Sequence, residues 1–474
     1  MQIITRAIGD GALGLDNPLI ERLFLSRGLT HAGETDKGLG SLLSPAGLKD
    51  IETAAQRIAD AVMDSQRILI VGDYDADGAT SVALCKLALA AMGAESVDFL
   101  VPDRFQFGYG LSPAIVAVAA QLEPDLLITV DNGVSSIEGV AAANTAGIEV
   151  IVSDHHLPGA DLPAAYAVVN PNRSDCGFLS KSMAGVGVAY YLLSWVRHTL
   201  RQRRWFDSSQ RAEPNLGQFL DLVALGTVAD VVPLDHNNRI LVHQGLLRMR
   251  QGQTRPGIRA LVEVGKRDLS QLSAQDLGFA LGPRLNAAGR LQDMSVGIRC
   301  LLAEDVSSAR ALAQELDGLN KDRRELEQDM VADAELLLAQ APAVDRGFAV
   351  AVYNERFHQG VVGIVAGRLR ERLHRPAIVF ADSTEGMAGE IKGSARSIDG
   401  LNIRDVLDTI ASRYPGLLIK FGGHAMAAGL SLKRVHFERF RSVFDAVVGE
   451  LINPDMLRAK CFVDGGLTEQ ELTL

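Results

Sequence analysis

Cysteine is scarce in this chain of 474 residues: there are four, Cys85, Cys176, Cys300 and Cys461. They are scattered and form no CxxC pair, which excludes a zinc knuckle and a disulfide framework and favours a reducing compartment. Aromatic residues are also few, at 5%, whereas hydrophobic residues make up 47% of the chain. Such a composition favours a layered α/β protein over a β-sandwich or a disordered chain.

Long apolar runs are missing as well. No stretch of about 18 apolar residues occurs, so the sequence predicts no membrane-spanning helix. At the N-terminus Gly9, Asp10 and Gly11 interrupt any apolar segment of the kind a signal peptide needs. These absences predict a cytoplasmic protein with no membrane partner.

Positive charge is in deficit, because 47 Lys and Arg face 58 Asp and Glu, a net charge of −11. A protein that coats nucleic acid by charge alone is therefore excluded. Any binding of nucleic acid must depend on a local basic surface. A cleft enzyme that holds cations among carboxylates stays compatible with this balance.

Short apolar segments alternate with helical patterns between residues 44 and 169. A helix is expected to begin at Ser44-Pro45, because Pro favours the first helical position. The strands predicted after it are separated by helices, which indicates right-handed crossovers and a mostly parallel sheet. Those strands are Arg67–Val71, Val97–Val101, Leu126–Val130, Ile148–Val152 and Ala167–Val169, and the helices between them are Thr80–Met92, one from Ser112-Pro113 and one from Ser135 to about Gly147.

The rest of the chain predicts a second, smaller α/β domain beyond a long helical linker. Residues 183–300 are mainly helical, and the charged pattern from Val306 to Gln340 predicts one or two linker helices. Strands are expected at Phe348–Val352 and Ala377–Phe380, with a helix from Gly360 to Leu373 between them. The predicted boundaries are an N-terminal extension at 1–43, a first domain at 44–305, the linker at 306–346, the second domain at 347–452, and the start of a further domain at 453–474.

Acidic and histidine side chains follow three of the predicted strands. In parallel sheets, ligands bind beyond the carboxyl ends of the strands, and carboxylates gathered there repel one another unless a cation compensates. Oxygen ligands with imidazoles suit Mn²⁺ or Mg²⁺. The three segments are Asp73-Tyr74-Asp75-Ala76-Asp77-Gly78, Asp131-Asn132-Gly133 and Asp154-His155-His156.

The first segment also matches the opening of an EF-hand calcium loop. Position twelve of such a loop requires a bidentate Glu, but Leu84 stands there. A predicted strand also precedes the segment where an EF-hand has a helix. The calcium-loop interpretation is therefore rejected.

These motifs resemble the DHH phosphoesterase superfamily, and further segments narrow the resemblance to RecJ-type single-strand DNA exonucleases. The similarity extends over residues 44 to 451, and the motifs occur in the family's order. The further segments are Val228-Ala229-Asp230-Val231-Val232-Pro233-Leu234, Gly282-Pro283-Arg284-Leu285-Asn286-Ala287-Ala288-Gly289-Arg290-Leu291, Gly393-Ser394-Ala395-Arg396-Ser397 and Gly422-Gly423-His424-Ala425-Met426-Ala427-Ala428-Gly429. In this family the two domains are the DHH domain and the DHH-associated domain.

The resemblance assigns a role to each residue of a centre with two Mn²⁺ or Mg²⁺ ions. Asp75 binds one ion and Asp77 the other, while Asp131 bridges them and is, with His156, catalytic. His155 and Asp230 complete the second site, and His156 contacts the scissile phosphate. Asp73 either ligates a metal or supports the ligands. Related pyrophosphatases have a His where this chain has Val71, which predicts a weaker first site.

Substrate contacts are expected from arginines, whose paired donors match phosphate, and from a glycine segment that lets backbone approach it. The candidates are Arg104, Arg284, Arg290, Ser394, Arg396, Gly423 and His424.

The resemblance implies 5′ to 3′ hydrolysis of single-stranded DNA to 5′-mononucleotides in DNA repair and recombination. Single-strand-binding protein or a helicase is a candidate protein partner. Family members commonly continue into an oligonucleotide-binding barrel, and residues 453–474 are expected to be the start of that domain. Two alternatives stay open: a hydrolase of short oligonucleotides or cyclic dinucleotides, and a non-catalytic DNA-binding scaffold, although retention of the metal carboxylates disfavours the scaffold.

Overall fold

The structure is a computed structural model that describes residues 2–103, 107, 110–340, 347–383 and 389–473. It divides into two compact units, residues 35–321 and residues 1–34 with 322–474. The division lies inside one long helix. The prediction of two α/β parts connected by a long helix is confirmed, whereas the predicted domain limits stay predictions.

The chain begins with strand β1 (Gln2–Thr5) and helix α1 (Pro18–Leu25), and residues 35–321 follow. Five strands and the helices between them form the first half of that unit. They are α2 (Ile51–Met63), β2 (Arg67–Val71), α3 (Ala76–Met92), β3 (Ser96–Leu100), α4 (Pro113–Ala120), β4 (Leu126–Val130), α5 (Ile137–Thr145), β5 (Glu149–Ser153) and β6 (Ala167–Val169).

The five strands are all parallel and lie in the order β3-β2-β4-β5-β6. Strand β4 is buried throughout and β2 is buried and apolar after the exposed Arg67, as expected for strands covered on both faces. Because β2, β4 and β5 are adjacent and parallel, their carboxyl ends lie side by side. The order therefore places the three sequence motifs on adjacent strands.

Two predicted helix starts differ from the structure. Pro45 begins only a 3₁₀ turn, Pro45–Gly47, and α2 begins at Ile51 because Asp50 has a left-handed backbone with φ 60°. The prediction of a helix from Ser44-Pro45 is therefore wrong. Helix α3 begins four residues before the predicted Thr80, because the Asp75 side chain caps its N-terminus.

The second half of this unit is helical, as predicted. Helix α6 is buried along most of its length, and α8 is almost wholly apolar and buried. The helices are α6 (Gly185–Gln202), α7 (Trp205–Ser208), α8 (Leu220–Ala229), α9 (His236–Arg250), α10 (Pro256–Val264), α11 (Ala274–Asp276), α12 (Gly282–Leu291), which follows the π-helical turn Leu277–Leu281, and α13 (Ser295–Leu302). Helix α14 (Val306–Gln340) passes from this unit into the other, as a single helix.

The other unit is built on a mixed sheet of order β10-β11-β9-β8-β7. Only β7 and β8 are parallel, and the remaining pairs are antiparallel. Phe440 and Phe444 of α17 are buried in the core of this unit. Its elements are β7 (Val350–Tyr353), α15 (Val362–Leu373), β8 (Ala377–Asp382), β9 (Glu390–Arg396), α16 (Ile403–Arg413), β10 (Lys420–Gly423), β11 (Ala427–Lys433), α17 (Phe437–Leu451) and β12 (Lys460–Val463).

The two terminal segments, predicted as separate regions, lie together in this unit. Strand β1 pairs in parallel with β12, and Asp464 accepts hydrogen bonds from Arg6, Ser26 and Arg27. The cationic partners hold the pKa of Asp464 down at about 2, with the Arg27 hydrogen bond as the largest cause. None of the helices within the described ranges is both long enough and apolar enough to span a membrane.

Candidate metal centre and substrate-binding residues

The first acidic segment turns directly from β2 into α3. Asp75 is the N-cap of α3, and its Oδ1 accepts from the N–H of Gly78 at 2.9 Å. Gly78 is required here, because a Cβ would lie 2.4 Å from the carbonyl oxygen of Asp73. The close turn brings Asp73, Asp75 and Asp77 to the same end of the sheet.

Asp77 is held rigidly, with 1% of its surface exposed. Its two carboxylate oxygens accept from the N–H groups of Gly185 at 2.6 Å and Val186 at 2.9 Å, at the beginning of α6. A helix N-terminus favours negative charge. Gly185 also faces Asp131, where a Cβ would lie 2.6 Å from the Asp131 Cβ. Helix α6 therefore packs directly against two of the predicted ligands.

The second and third motifs are connected by backbone and side-chain hydrogen bonds. Asp131 follows β4 with φ 61°, and its N–H donates to the carbonyl of Ser153 at 3.0 Å. In the third motif, Asp154 Oδ1 accepts from the N–H of His156 and lies 2.8 Å from its Nδ1. Oδ2 of Asp154 accepts from the N–H of Val134. Asp154 is thus a positioning residue for His156 that the sequence prediction missed.

Nε2 of His155 is the centre of the cluster. It lies 3.0 Å from Asp131 Oδ1, 3.6 Å from Asp230 Oδ2 and 3.9 Å from Asp77 Oδ2. Three groups of side chains offer ligand atoms within 4.8 Å of one another. They are Asp77–His155–Asp230, Asp73–Asp75–Asp131 and Asp131–His155–His156.

Burial and mutual repulsion shift the proton affinities of these groups. Burial, and then the charge of Asp75, raise the pKa of Asp77 to about 7. Burial and the charge of Asp77 raise the pKa of Asp230 to about 9 and hold that of Asp131 well above its ordinary value. Burial and the neighbouring His156 lower the pKa of His155 to about 4. Carboxyl groups whose pKa values are raised in this way require nearby positive charge to remain ionised.

The residues fit a divalent cation. His155 Nε2 and Asp230 Oδ2 are buried and make no hydrogen bond with any described residue, although both are strong polar atoms. Several carboxylate oxygens and a neutral imidazole are ligands that Mn²⁺ and Mg²⁺ accept. The grouping puts Asp73 beside Asp75 and Asp131, as a candidate ligand of the first site.

His156 differs from His155 because its partner is a buried carboxylate. Burial lowers its pKa, but the hydrogen bond to Asp154 and the charge of that residue outweigh burial and raise the pKa to about 9. The same contact lowers the pKa of Asp154 despite its own burial. In the metal-free protein, this raised pKa favours a protonated imidazole next to the acidic cluster at neutral pH.

Helix α12 supports the metal loop. Asn286 Oδ1 accepts from the N–H of Ala76 at 2.7 Å, and a Cβ on Gly289 would lie 1.8 Å from the Tyr74 carbonyl oxygen. Gly282 packs beside Ala229 at the end of α8, next to Asp230. Asn286 and Gly289 are positioning residues within a motif whose arginines alone were predicted.

Arg284, a predicted substrate-binding residue, makes its hydrogen bonds within the protein. Its guanidinium is buried and donates to Asp317 Oδ1 at 2.9 Å and to the carbonyl of Ala280 at 2.6 Å. It therefore connects α12 to α14, and its predicted substrate contact stays a prediction. Arg290 lies half-buried in the last turn of α12, and its predicted substrate contact stays a prediction. Arg104 lies outside the described residues.

The remaining predicted substrate residues belong to the other unit and share one end of its sheet. Arg396 stands opposite Ala427, and its Nη1 donates to Ser394 Oγ at 3.0 Å. No carboxylate among the described residues pairs with it. Gly423 has φ 141°, and the next residue, His424, is exposed in the β10–β11 turn.

Comparisons with known proteins follow the same division. Residues 67–227 match the DHH family, N-terminal domain, and residues 345–450 match the DHHA1 domain. The chain is 54% identical to the single-stranded-DNA-specific exonuclease RecJ of Dickeya dadantii, over 96% of this chain and 79% of the relative. It is 52% identical to the RecJ of Escherichia coli, with the same coverage.

Solved structures of lower sequence identity share the fold. RecJ of Thermus thermophilus in complex with Mn²⁺ superposes with a TM-score of 0.80 at 30% identity, over 99% of this chain and 65% of that one. An exonuclease RecJ bound to manganese gives a TM-score of 0.71 at 33% identity, over 88% of this chain and 98% of that one.

Proposed function

Because the chain belongs to the RecJ family of single-stranded-DNA-specific exonucleases, we propose that it hydrolyses single-stranded DNA from the 5′ end to 5′-mononucleotides. The observation that carries the proposal is the position of His155 Nε2, within 3.0 to 3.9 Å of three carboxylates from three different elements. This arrangement suits Mn²⁺ or Mg²⁺, two per site.

The ligands divide into two sets in this proposal. Asp73, Asp75 and Asp131 would hold one ion, and Asp77, His155 and Asp230 the other, with Asp131 between them. Asp77 is pre-positioned by two backbone N–H groups, so its carboxylate does not have to reorganise on binding. Bound cations would supply Lewis-acid stabilisation of the phosphoryl oxygens and a water of lowered pKa.

His156 would supply positive charge at the scissile phosphate. Its imidazole is fixed by Asp154, which also accepts backbone N–H bonds and therefore cannot turn away. The raised pKa keeps the ring protonated at neutral pH in the metal-free protein. A fixed charged donor of this kind stabilises charge that develops during phosphoryl transfer.

We propose that Arg396 recognises the 5′-phosphate. Burial, and then repulsion from Arg370, lower the pKa of Arg396. A bound anion would stabilise the guanidinium against both effects. The absence of a side chain at Gly363 lets the Arg396 guanidinium pack against it, because a Cβ at Gly363 would lie 2.8 Å from Arg396 Nη2. Ser394, Gly423 and His424 would complete this contact region.

A strand must be unpaired before such an enzyme can degrade it. A helicase or a single-strand-binding protein is therefore the proposed kind of protein partner, in the cytoplasm, during DNA repair and recombination. A single-strand-specific exonuclease would then act on the strand that such a partner exposes.

Timed digestion of single strands labelled at the 5′ or the 3′ end tests the proposal, with Mn²⁺ or Mg²⁺ and with a chelator as control. Immediate release of a labelled mononucleotide from the 5′-labelled strand is expected, while the 3′ label remains on shortening strands. Cleavage of dinucleotides or cyclic dinucleotides alone would favour the small-substrate hydrolase. DNA binding without hydrolysis would favour the scaffold.

A further inference from the structure

Two large apolar side chains are exposed beside the end of α8, the helix that leads into Asp230. Val231 is 84% exposed and Phe279 is 72% exposed. Among the residues that the structure describes, Phe279 is the most exposed of the aromatic side chains Phe, Tyr and Trp. Single exposed apolar residues are common on protein surfaces and need no explanation by themselves. These two differ from the common case, because each also has an unusual backbone.

The backbone of Val231 is in the left-handed region, with φ 62°. Its N–H donates to the carbonyl of Val228 at 3.2 Å, so the chain turns away from α8 immediately after Asp230. A β-branched residue is strained in this region, which favours Gly and tolerates Asn. Within the described ranges, Val231 is the only β-branched residue with a positive φ. The fold alone would therefore favour a different residue at this position.

Phe279 lies in the π-helical turn Leu277–Leu281, which packs on the same end of α8. A Cβ on Gly278 would lie 3.3 Å from Val228 Cγ1 and 4.0 Å from the Val228 carbonyl oxygen. That oxygen is the one that accepts from Val231. The turn therefore brings Phe279 alongside Val231. Turns of this kind are rare and occur frequently at functional sites.

Both side chains border the candidate metal centre. Asp230, whose Oδ2 lies 3.6 Å from His155 Nε2, directly precedes Val231. On the other side, the turn of Phe279 leads into α12, which supports the metal loop. A phosphate held at the metal centre carries a sugar and a base next to it. Aromatic side chains bind bases by stacking, and apolar side chains pack against the same groups.

We propose that Phe279 and Val231 hold the nucleotide whose phosphodiester is cleaved, with its base stacked on the Phe279 ring and Val231 packed against the same nucleotide. The inference rests on the proposed function, because it assigns to that active site the residues that orient the reacting nucleotide. Every base has a π-face, so the contact is independent of sequence. An oriented nucleotide keeps its phosphate over the metal ligands, which raises the rate at saturation. Val231 then serves the substrate at the expense of fold stability.

The stacking contact is tested by single-turnover release of the 5′-terminal nucleotide in Mn²⁺. Phe279→Ala and the parent are compared on two 5′-phosphorylated strands, one of thymidylate throughout and one whose two terminal nucleotides lack a base. Phe279→Ala should slow release from the complete strand about tenfold and should not slow the abasic strand further. Leu122→Ala is the control, because Leu122 is exposed and precedes β4, at the opposite end of the sheet. It should match the parent on both strands.

Val231→Gly separates substrate contact from the fold. The melting temperature of the metal-free unit, followed by tryptophan fluorescence, should rise by about 2 °C because the strain is relieved. Release of the first nucleotide should slow about tenfold, because an apolar contact is lost. The affinity for Mn²⁺, measured by electron paramagnetic resonance, should not change. Gln210→Gly is the matched control: Gln210 is exposed, has φ 53° and donates to Asp207 in the same way. It should lower neither the melting temperature nor the rate.

Equal slowing of the complete and the abasic strand by Phe279→Ala would overturn the stacking contact. Parental release in Val231→Gly would overturn the contact of Val231. A loss of Mn²⁺ affinity in that variant would overturn it too, because Val231 would then act through Asp230, and a lower melting temperature would show that Val231 serves the fold. Failure of the proposed function would look different: the wild-type protein would not hydrolyse single strands in Mn²⁺.

Discussion

The metal-centre unit and the sheet unit handle charge in opposite ways. In residues 35–321, acidic groups are buried and fixed by backbone N–H bonds, as Asp77 and Asp154 show. In the other unit, the exposed Lys420 lies on the same sheet as the exposed glycines Gly422 and Gly429. Rigid burial holds the candidate metal ligands in fixed positions before any cation binds. Exposed positive charge of this kind would suit contact with a phosphate backbone.

The largest effect is expected from substitution of Asp131, the residue between the two proposed ligand sets. Asp131→Asn should lower the rate of hydrolysis by more than about a thousandfold, because the cations supply nucleophile and charge stabilisation. Its metal-free form should melt at the same or a higher temperature, since one repelling carboxylate is neutralised. Single-turnover rates and calorimetry measure both. A variant with a tenth of the normal rate would refute the bridging role.

A smaller loss is expected from Asp154, which contacts the site through His156. Asp154→Asn should reduce activity by about ten- to a hundredfold, the usual cost of removing a partner of a site residue. The pKa of His156, followed by NMR in the metal-free protein, should fall because the charged partner is lost. An unchanged His156 pKa would show that Asp154 acts only on the backbone turn.

End recognition should be separable from chemistry. Arg396→Ala should abolish most of the preference for 5′-phosphate over 5′-hydroxyl strands, about tenfold, since a charge-assisted hydrogen bond is lost. Arg413→Ala removes an exposed arginine that pairs with Glu450 and serves as the control. Competition between the two kinds of strand gives the ratio. If the Arg396 variant keeps the parent's phosphate preference, Arg396 is not the end sensor.

The smallest effect concerns pH and the metal-free protein. Asp77, Asp230 and His156 have raised pKa values, about 7, 9 and 9, so the folded state binds protons more tightly than the unfolded one. That stability is present below the unfolded pKa values, about 4 for Asp and 6.5 for His, and is lost as pH rises through 7 to 9. The lowered pKa of His155 acts only below about pH 6.5.

The metal-free unit should therefore melt a few degrees lower at pH 9 than at pH 6.5. Both tryptophans, Trp195 and Trp205, lie in residues 35–321, so their fluorescence reports this unit. Saturating Mn²⁺ should remove or reverse the trend. A metal-free melting temperature that does not fall over this range would contradict the raised pKa values.

Most strands and the acidic motifs could be predicted from the sequence, because both depend on residues that are close together in the chain. The strand at Ala167–Val169 and the acidic segments after β2, β4 and β5 depend on nearby residues and on the parallel order of the sheet. Arg284 could not be placed, because its partner Asp317 lies 33 residues away on another helix. The role of Asp154 could not be predicted, because it depends on the conformation of the turn after β5. The free space above Gly429 could not be predicted, because it depends on the pairing of β9, β10 and β11.

The division of labour between the two units is tested most directly by single-turnover hydrolysis at increasing DNA concentration, with Asp131→Asn and Arg396→Ala compared on the same 5′-phosphorylated strand. Asp131→Asn should lose the rate at saturation by more than about a thousandfold while its half-saturating concentration changes little. Arg396→Ala should need more DNA to reach saturation and lose far less of the rate there. Equal loss of the saturating rate in both variants, or a near-normal rate in Asp131→Asn, would show that Asp131 and Arg396 do not have these separate roles.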